Sequence, residues 1–207
     1  LTSPEPAHES ALPPGQLYRL AWVFYLVLAV GGAVWIGWRE GRIRLELFVD
    51  PAGWWIDAGL GLASAGLLLG LWELARRALP PARALERRLA SLVAGATASE
   101  LAALALLSGF AEELVFRGAV QGQWGWLVAT LLFALLHTGP GPAFRTWTLF
   151  AAIAGALFGA LAAWRGNLLA PALAHMLVNG VNLPRLAGAG RGADRKTTAP
   201  EEGEEEP

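Results

Sequence analysis

Apolar residues along this chain come in long blocks, without the two-residue alternation of strands. A helix needs about 20 apolar residues to cross ~30 Å of hydrocarbon. Residues 17–38 form one such block, with Arg19 at its edge, and residues 54–75 form a second, with Asp57 and Glu73 near its ends. Residues 97–121 form a third with charges inside it, 124–137 a short fourth, 144–164 a fifth, and 168–183 a short sixth with Pro171 in its first turn. Between the second and third blocks, Leu85, Leu89 and Leu92 recur at helical spacing beside Glu86, Arg87 and Arg88, so residues 80–95 are expected to form an amphipathic helix lying at the interface. The pattern predicts an all-α polytopic bundle of about six spans with one interfacial helix. It divides into an N-terminal tail (1–16), two spans and the amphipathic connector (17–95), a four-span core (96–183) and an acidic tail (184–207). The tail is Gly-, Thr- and Glu-rich from Ala187 onward and is expected to be disordered.

Composition strengthens the membrane assignment. Of the 207 residues 55% are hydrophobic and 16% charged, against roughly 25% charged in soluble domains. Cysteine is absent, which excludes a disulfide scaffold and a Cys-ligated zinc site. A net charge of -1 gives no reason to expect nucleic acid as a partner. With six spans, eleven basic residues fall on the side of Arg19, the 76–88 connector, Arg145 and the tail, and four (Arg39, Arg42, Arg44, Arg165) on the other. The positive-inside rule then places both termini in the cytoplasm. The length of the first block and its uncharged, proline-rich lead-in argue for an anchor over a cleaved signal peptide. Gly66–Gly70 and Gly155–Gly159 are G-x-x-x-G pairs suited to close helix packing.

The charges inside the blocks carry the chemistry. An ionisable residue in a span is costly and by default functional. Three groups stand out: Glu112-Glu113 with Arg117, Phe133 with His137, and His175 with Asn179. Glu113 and Arg117 are i, i+4 and can pair on one helix face. Glu112 is rotated ~100° from Glu113, so the two acids look in different directions. His175 and Asn179 are also i, i+4 and project together. With a turn near Gly122, Glu113 lies about 13 Å and His137 about 22 Å from it at 1.5 Å per residue. The fourth helix stops at His137, because 138–142 is Gly- and Pro-rich. Irregular backbone at membrane depth must be buried or line water, so a polar cavity open to the cytoplasm is expected, receiving Glu112, His137, His175 and Asn179. Phe133 is expected only to pack. A structural ion pair for Glu113–Arg117 and an interhelical hydrogen bond for Asn179 are the plain alternatives.

In this order the motifs E-E-x-x-x-R, F-x-x-x-H and H-x-x-x-N resemble those of the CPBP intramembrane proteases, the group of CAAX prenyl endopeptidases (Rce1-type) and of Abi or bacteriocin-processing proteins. The resemblance covers about 97–183. It implies peptide-bond hydrolysis in or at the membrane, on a membrane-associated or lipidated protein or peptide. Glu112 and His137 would activate a water, His175 and Asn179 would stabilise the oxyanion, and Glu113 and Arg117 would support the site. The residue types suit this chemistry independently. Desolvation makes a carboxylate a stronger base, and donors held in a water-poor site stabilise an oxyanion strongly. Metal use stays open. Glu112, His137 and His175 would make a His₂Glu set for a divalent ion such as zinc, while a metal-free mechanism uses the same residues. The latter is favoured because Asn179 and one histidine suffice as oxyanion donors. An arginine-rich, lysine-poor chain suits a bacterial inner (plasma) membrane. A non-catalytic immunity or partner-binding protein of the same scaffold and a small transporter are the competing functions.

Overall fold

The computed structural model describes residues 15–198, and the described residues contain helices and no strand. α1 is Gln16–Glu40 and α2 is Trp54–Ala78, joined through a single 3-10 turn at Leu45–Leu47. α3, Pro80–Val93, is the amphipathic connector. α4, Ala98–Glu113, begins at a capping box in which Thr97 Oγ1 accepts from the Glu100 amide and Glu100 Oε2 accepts from that of Thr97. It runs through a π-helical stretch, Leu114–Val120, into α5, Gln121–Trp124. α6 is Trp126–Leu136, α7 Pro142–Arg165 and α8 Leu169–Thr198.

These helices form an all-helical membrane bundle. By length and apolar composition, α1, α2 and α7 can each cross a bilayer alone. A fourth span arises if α3 and Ala98–Trp124, bent by 116° at their junction, are counted as one broken crossing. Of the six apolar blocks read from the sequence, three or four thus meet the length and composition of a span. Ala98–Trp124 carries Glu112, Glu113 and Arg117 within its length, and α6 has only 11 residues. The surface is apolar where a soluble protein would be polar. Val23, Val27, Val30 and Val34 of α1 are each more than half exposed.

Two features depart from the sequence reading. Part of the apolar stripe of α3 faces protein: Ala82 and Leu85 are fully buried in a cluster with Trp72 of α2 and Ala143 of α7, while Leu92 is exposed. The tail expected to be disordered from 184 is helical as far as Thr198, because α8 continues past Pro184 and packs on α3. Ala187 is fully buried and Arg191 Nη1 donates to the Ala94 carbonyl at 3.2 Å. The acidic run 201–207 and most of the 1–16 segment lie outside the described residues.

The core that positions the polar residues is α4 between α1 and α8. α1 runs parallel to α4, with Gly15 beside Glu100 and Gly32 against Val115. α8 approaches α4 at Gly109, where a Cβ would come within 2.8 Å of the Met176 backbone nitrogen, so only glycine allows this spacing. Of the two G-x-x-x-G pairs, Gly155–Gly159 packs against α6 and the preceding stretch, whereas Gly66 and Gly70 have no neighbour within 4 Å among the described residues.

Candidate functional site

The hairpin between α5 and α6 turns at Gly125, whose φ of 86° is accessible to glycine at little cost. This corrects the turn expected near Gly122 and alters the depth argument. Glu112 lies thirteen residues before Gly125 and His137 twelve after it, so both sit about 18–20 Å from the turn. The two helices therefore deliver the acid and the imidazole to one level. His137 Nε2 lies 4.0 Å from Glu112 Oε2.

The spacing of Phe133 and His137 has a local cause. α6 ends at Leu136, and His137 Nδ1 meets the carbonyl of Phe133 at 2.7 Å. A carbonyl only accepts, so Nδ1 carries a proton, and in the neutral ring the lone pair on Nε2 faces Glu112. Thr148 Oγ1 donates to the His137 carbonyl at 3.0 Å and holds the frayed end in place. The Phe133 ring, expected only to pack, is also central to the cluster. Its centroid is 4.5 Å from that of His137 and 5.9 Å from that of His175, and the Arg117 guanidinium lies 4.5 Å over its face.

Glu113 is fully buried and faces away from Glu112, as the ~100° rotation requires. Its Oε1 accepts from Arg117 Nη1 at 2.9 Å and lies 2.8 Å from His175 Nδ1. Arg117 Nη2 donates to the Gly155 carbonyl at 3.0 Å. Phe116, Phe133 and Phe158 surround the guanidinium, and Phe158 stacks on His175 with centroids 5.3 Å apart. The π-helical stretch that carries Arg117 has its last carbonyls taken by Arg39 of α1, which donates to Ala119 at 2.7 Å and Gly118 at 3.2 Å. Such π segments recur at functional sites.

His175 and Asn179 project together onto α4. Asn179 Nδ2 donates to Ser108 Oγ at 2.9 Å, one helical turn before Glu112. The expected common cavity is different in detail. A cavity of about 480 Å³ opens between α2, α3, α7 and α8, and of the four residues only Asn179 lines it. His137 stands behind its wall, where Trp147 meets the His137 ring with centroids 5.4 Å apart. Two polar pairs thus lie side by side, Glu112 with His137 and Glu113 with His175.

The same split bears on a metal. Among the described residues no three His, Cys, Asp or Glu side chains are grouped to hold an ion. His175 Nδ1 is turned to Glu113 while Glu112 faces His137, so Glu112, His137 and His175 do not fit a three-ligand site as arranged.

Two residues went unread in the sequence. Tyr25, on α1, stands near Glu112. Ser108 anchors Asn179. Both are single residues outside any motif; a half-buried phenol in an apolar span was the available signal for Tyr25.

Residues 94–181 match the profile of the type II CAAX prenyl endopeptidase Rce1-like family. Over this segment, under half of the chain, the protein is similar to that family. It begins just before α4 and ends within α8, so it contains all three motifs and excludes Tyr25. Over 83 residues the chain is also 40% identical to a Bacillus subtilis (strain 168) protein described as "Uncharacterized protein YpbD", which covers 38% of this chain and 41% of that relative. The chain therefore spans less than half of that relative's length. No solved structure matches. Rce1-like proteins are membrane-bound endopeptidases, and the apolar helices here agree with that setting.

Proposed function

We propose that this chain is an intramembrane endopeptidase that hydrolyses a peptide bond of a membrane-associated or lipidated protein or peptide. The observation that carries the reading is the 4.0 Å approach of Glu112 and His137 inside the Rce1-like segment. Two acceptors at that separation call for a proton donor between them, and a water that donates one O–H to each satisfies both. Glu112 takes the water's proton as the oxygen attacks the carbonyl carbon. The proton then passes to the leaving amide nitrogen as the C–N bond breaks.

His175 and Asn179 are the oxyanion donors in this reading. The contact of Nδ1 with Glu113 Oε1 fixes the ring and leaves Nε2 free to face the oxyanion. Asn179 uses one N–H on Ser108 and keeps the other. Glu113 and Arg117 orient His175. The side-chain arrangement does not suit a three-ligand metal, so no step is routed through one. Counted on the six-block topology, the bias of arginines supports an inner (plasma) membrane location with both termini in the cytoplasm.

The test uses the purified full chain in lipid nanodiscs with a membrane-peptide library, with and without chelator. Cleavage should persist in chelator and fall about 10²–10⁴-fold in Glu112→Gln and in His137→Ala. Cleavage at the parental rate in both variants would overturn the reading. A parent that cuts nothing would favour a non-catalytic membrane protein of the same scaffold.

A further inference from the structure

The 480 Å³ cavity lies within the size range of ligand pockets, ~300–1,000 Å³. Its walls are apolar, built from Trp72, Leu85, Leu89 and Phe150. Three charged groups also reach it. Arg76 pairs with Glu73, Glu86 accepts from Trp72 Nε1 at 3.1 Å, and Arg185 is exposed at the rim. Two side-chain amides remain, Asn179 and Asn182, both on α8 and three residues apart, so they share the helix face that lines the cavity. Asn182 is half-buried and lies just beyond the Rce1-like segment.

A side-chain amide offers an N–H and a C=O, the same pair that a peptide backbone offers. That match matters in a membrane. A substrate helix satisfies its own backbone, but the bond to be cut must be pulled out of the helix, which strands N–H and C=O groups where water is scarce. Stranded groups are costly unless partnered. Two amides in a largely apolar chamber, one of them the candidate oxyanion donor Asn179, supply such partners without selecting a side chain.

We infer that the cavity binds a short extended polypeptide segment by its backbone, with the Asn182 carbonyl accepting from a backbone N–H and the free Asn179 N–H donating to a backbone C=O, while the apolar walls take its side chains. The inference rests on the endopeptidase reading for its purpose but not for its test.

Binding can be read without cleavage. The full chain carrying Glu112→Gln, in nanodiscs, is titrated with a fluorescent apolar peptide of Leu and Ala around a central Gly-Ser. Analogues in which an ester oxygen replaces one backbone N–H at each central position are titrated alongside. Because the backbone is what is recognised, the probe need not be the natural substrate. At one or more positions the ester should bind about fivefold more weakly, the worth of one hydrogen bond. With Asn182→Leu added, amide and ester should bind alike. A folding defect would weaken both peptides and leave their ratio unchanged, so the ratio decides. An ester penalty that survives Asn182→Leu, a peptide insensitive to every ester, or no binding at all would each overturn the inference. A peptide bound with the expected ratio that the parent chain never cuts would uphold it and remove the endopeptidase reading instead.

Discussion

His175 Nδ1 stands 2.8 Å from Glu113 Oε1, and the oxygen that receives it also receives Arg117. One carboxylate oxygen thus joins the first and third motifs across α4 and α8. Among the described residues Glu113 is the only anion in contact with Arg117, whose guanidinium is otherwise enclosed by aromatic rings and the Gly155 carbonyl.

Removing that anion should be costly. In Glu113→Gln the guanidinium stays buried without a counter-charge, and breaking a buried pair in this way costs about 3–5 kcal/mol. Thermal unfolding of the variant in detergent should show a large drop. The double variant Glu113→Gln, Arg117→Met should recover much of it, because no buried charge is then left unpaired.

Phe133 separates the two polar pairs, and its ring touches both histidines and Arg117. Phe133→Ala should destabilise the protein by about 3–5 kcal/mol through the cavity it leaves. Phe133→Leu should retain most of the stability but lose the cation–π contact with Arg117, worth about 1–2 kcal/mol when desolvated. Comparing the two unfolding curves separates volume from ring electronics.

Tyr25 stands near Glu112, on a helix outside the Rce1-like segment. A hydrogen bond from its hydroxyl to the carboxylate, formed when substrate water enters, would steady Glu112 during catalysis. Tyr25→Phe is expected to lower kcat about fivefold, the worth of one hydrogen bond, with KM unchanged. A change in KM alone would mean that Tyr25 contacts substrate and does not act through Glu112.

Away from the site, buried Asp57 of α2 holds the α7–α8 junction. It accepts from Arg165 Nε and, at 2.8 Å, from Asn167 Nδ2. Asn167 Oδ1 in turn accepts from the Leu169 amide at 2.9 Å. Asp57→Ala should cost roughly 3 kcal/mol by stranding both donors. Turnover per folded molecule should be unchanged, and an active-site titration beside the unfolding curve checks both statements.

Much of this arrangement was legible from spacing alone. The i, i+4 offset of Glu113 and Arg117 foretold their pairing, and the 100° offset of Glu112 foretold that the two acids would look different ways. Both follow from helix geometry, which is local. Depth was not legible, because a shift of the turn from Gly122 to Gly125 changes which residues stand level, and adjacent glycines in Gly-x-x-Gly look alike in sequence. The order of the tail was missed for a related reason. Gly-rich composition forecasts a floppy chain, and only the surface of α3 supplies the contacts that hold α8 as a helix.

By itself the sequence determined the compartment and the cast. Long apolar blocks demand a bilayer, and the few ionisable groups within them name the candidates, since each is too costly there to be incidental. Tertiary structure decided the pairing: Glu112 with His137, Glu113 with His175 and Arg117, Asn179 with Ser108, and Tyr25 brought in from α1. Which side chains meet across helices depends on interhelical distance and on where each hairpin turns. Those are set by packing between segments distant in the chain, and no local pattern encodes them.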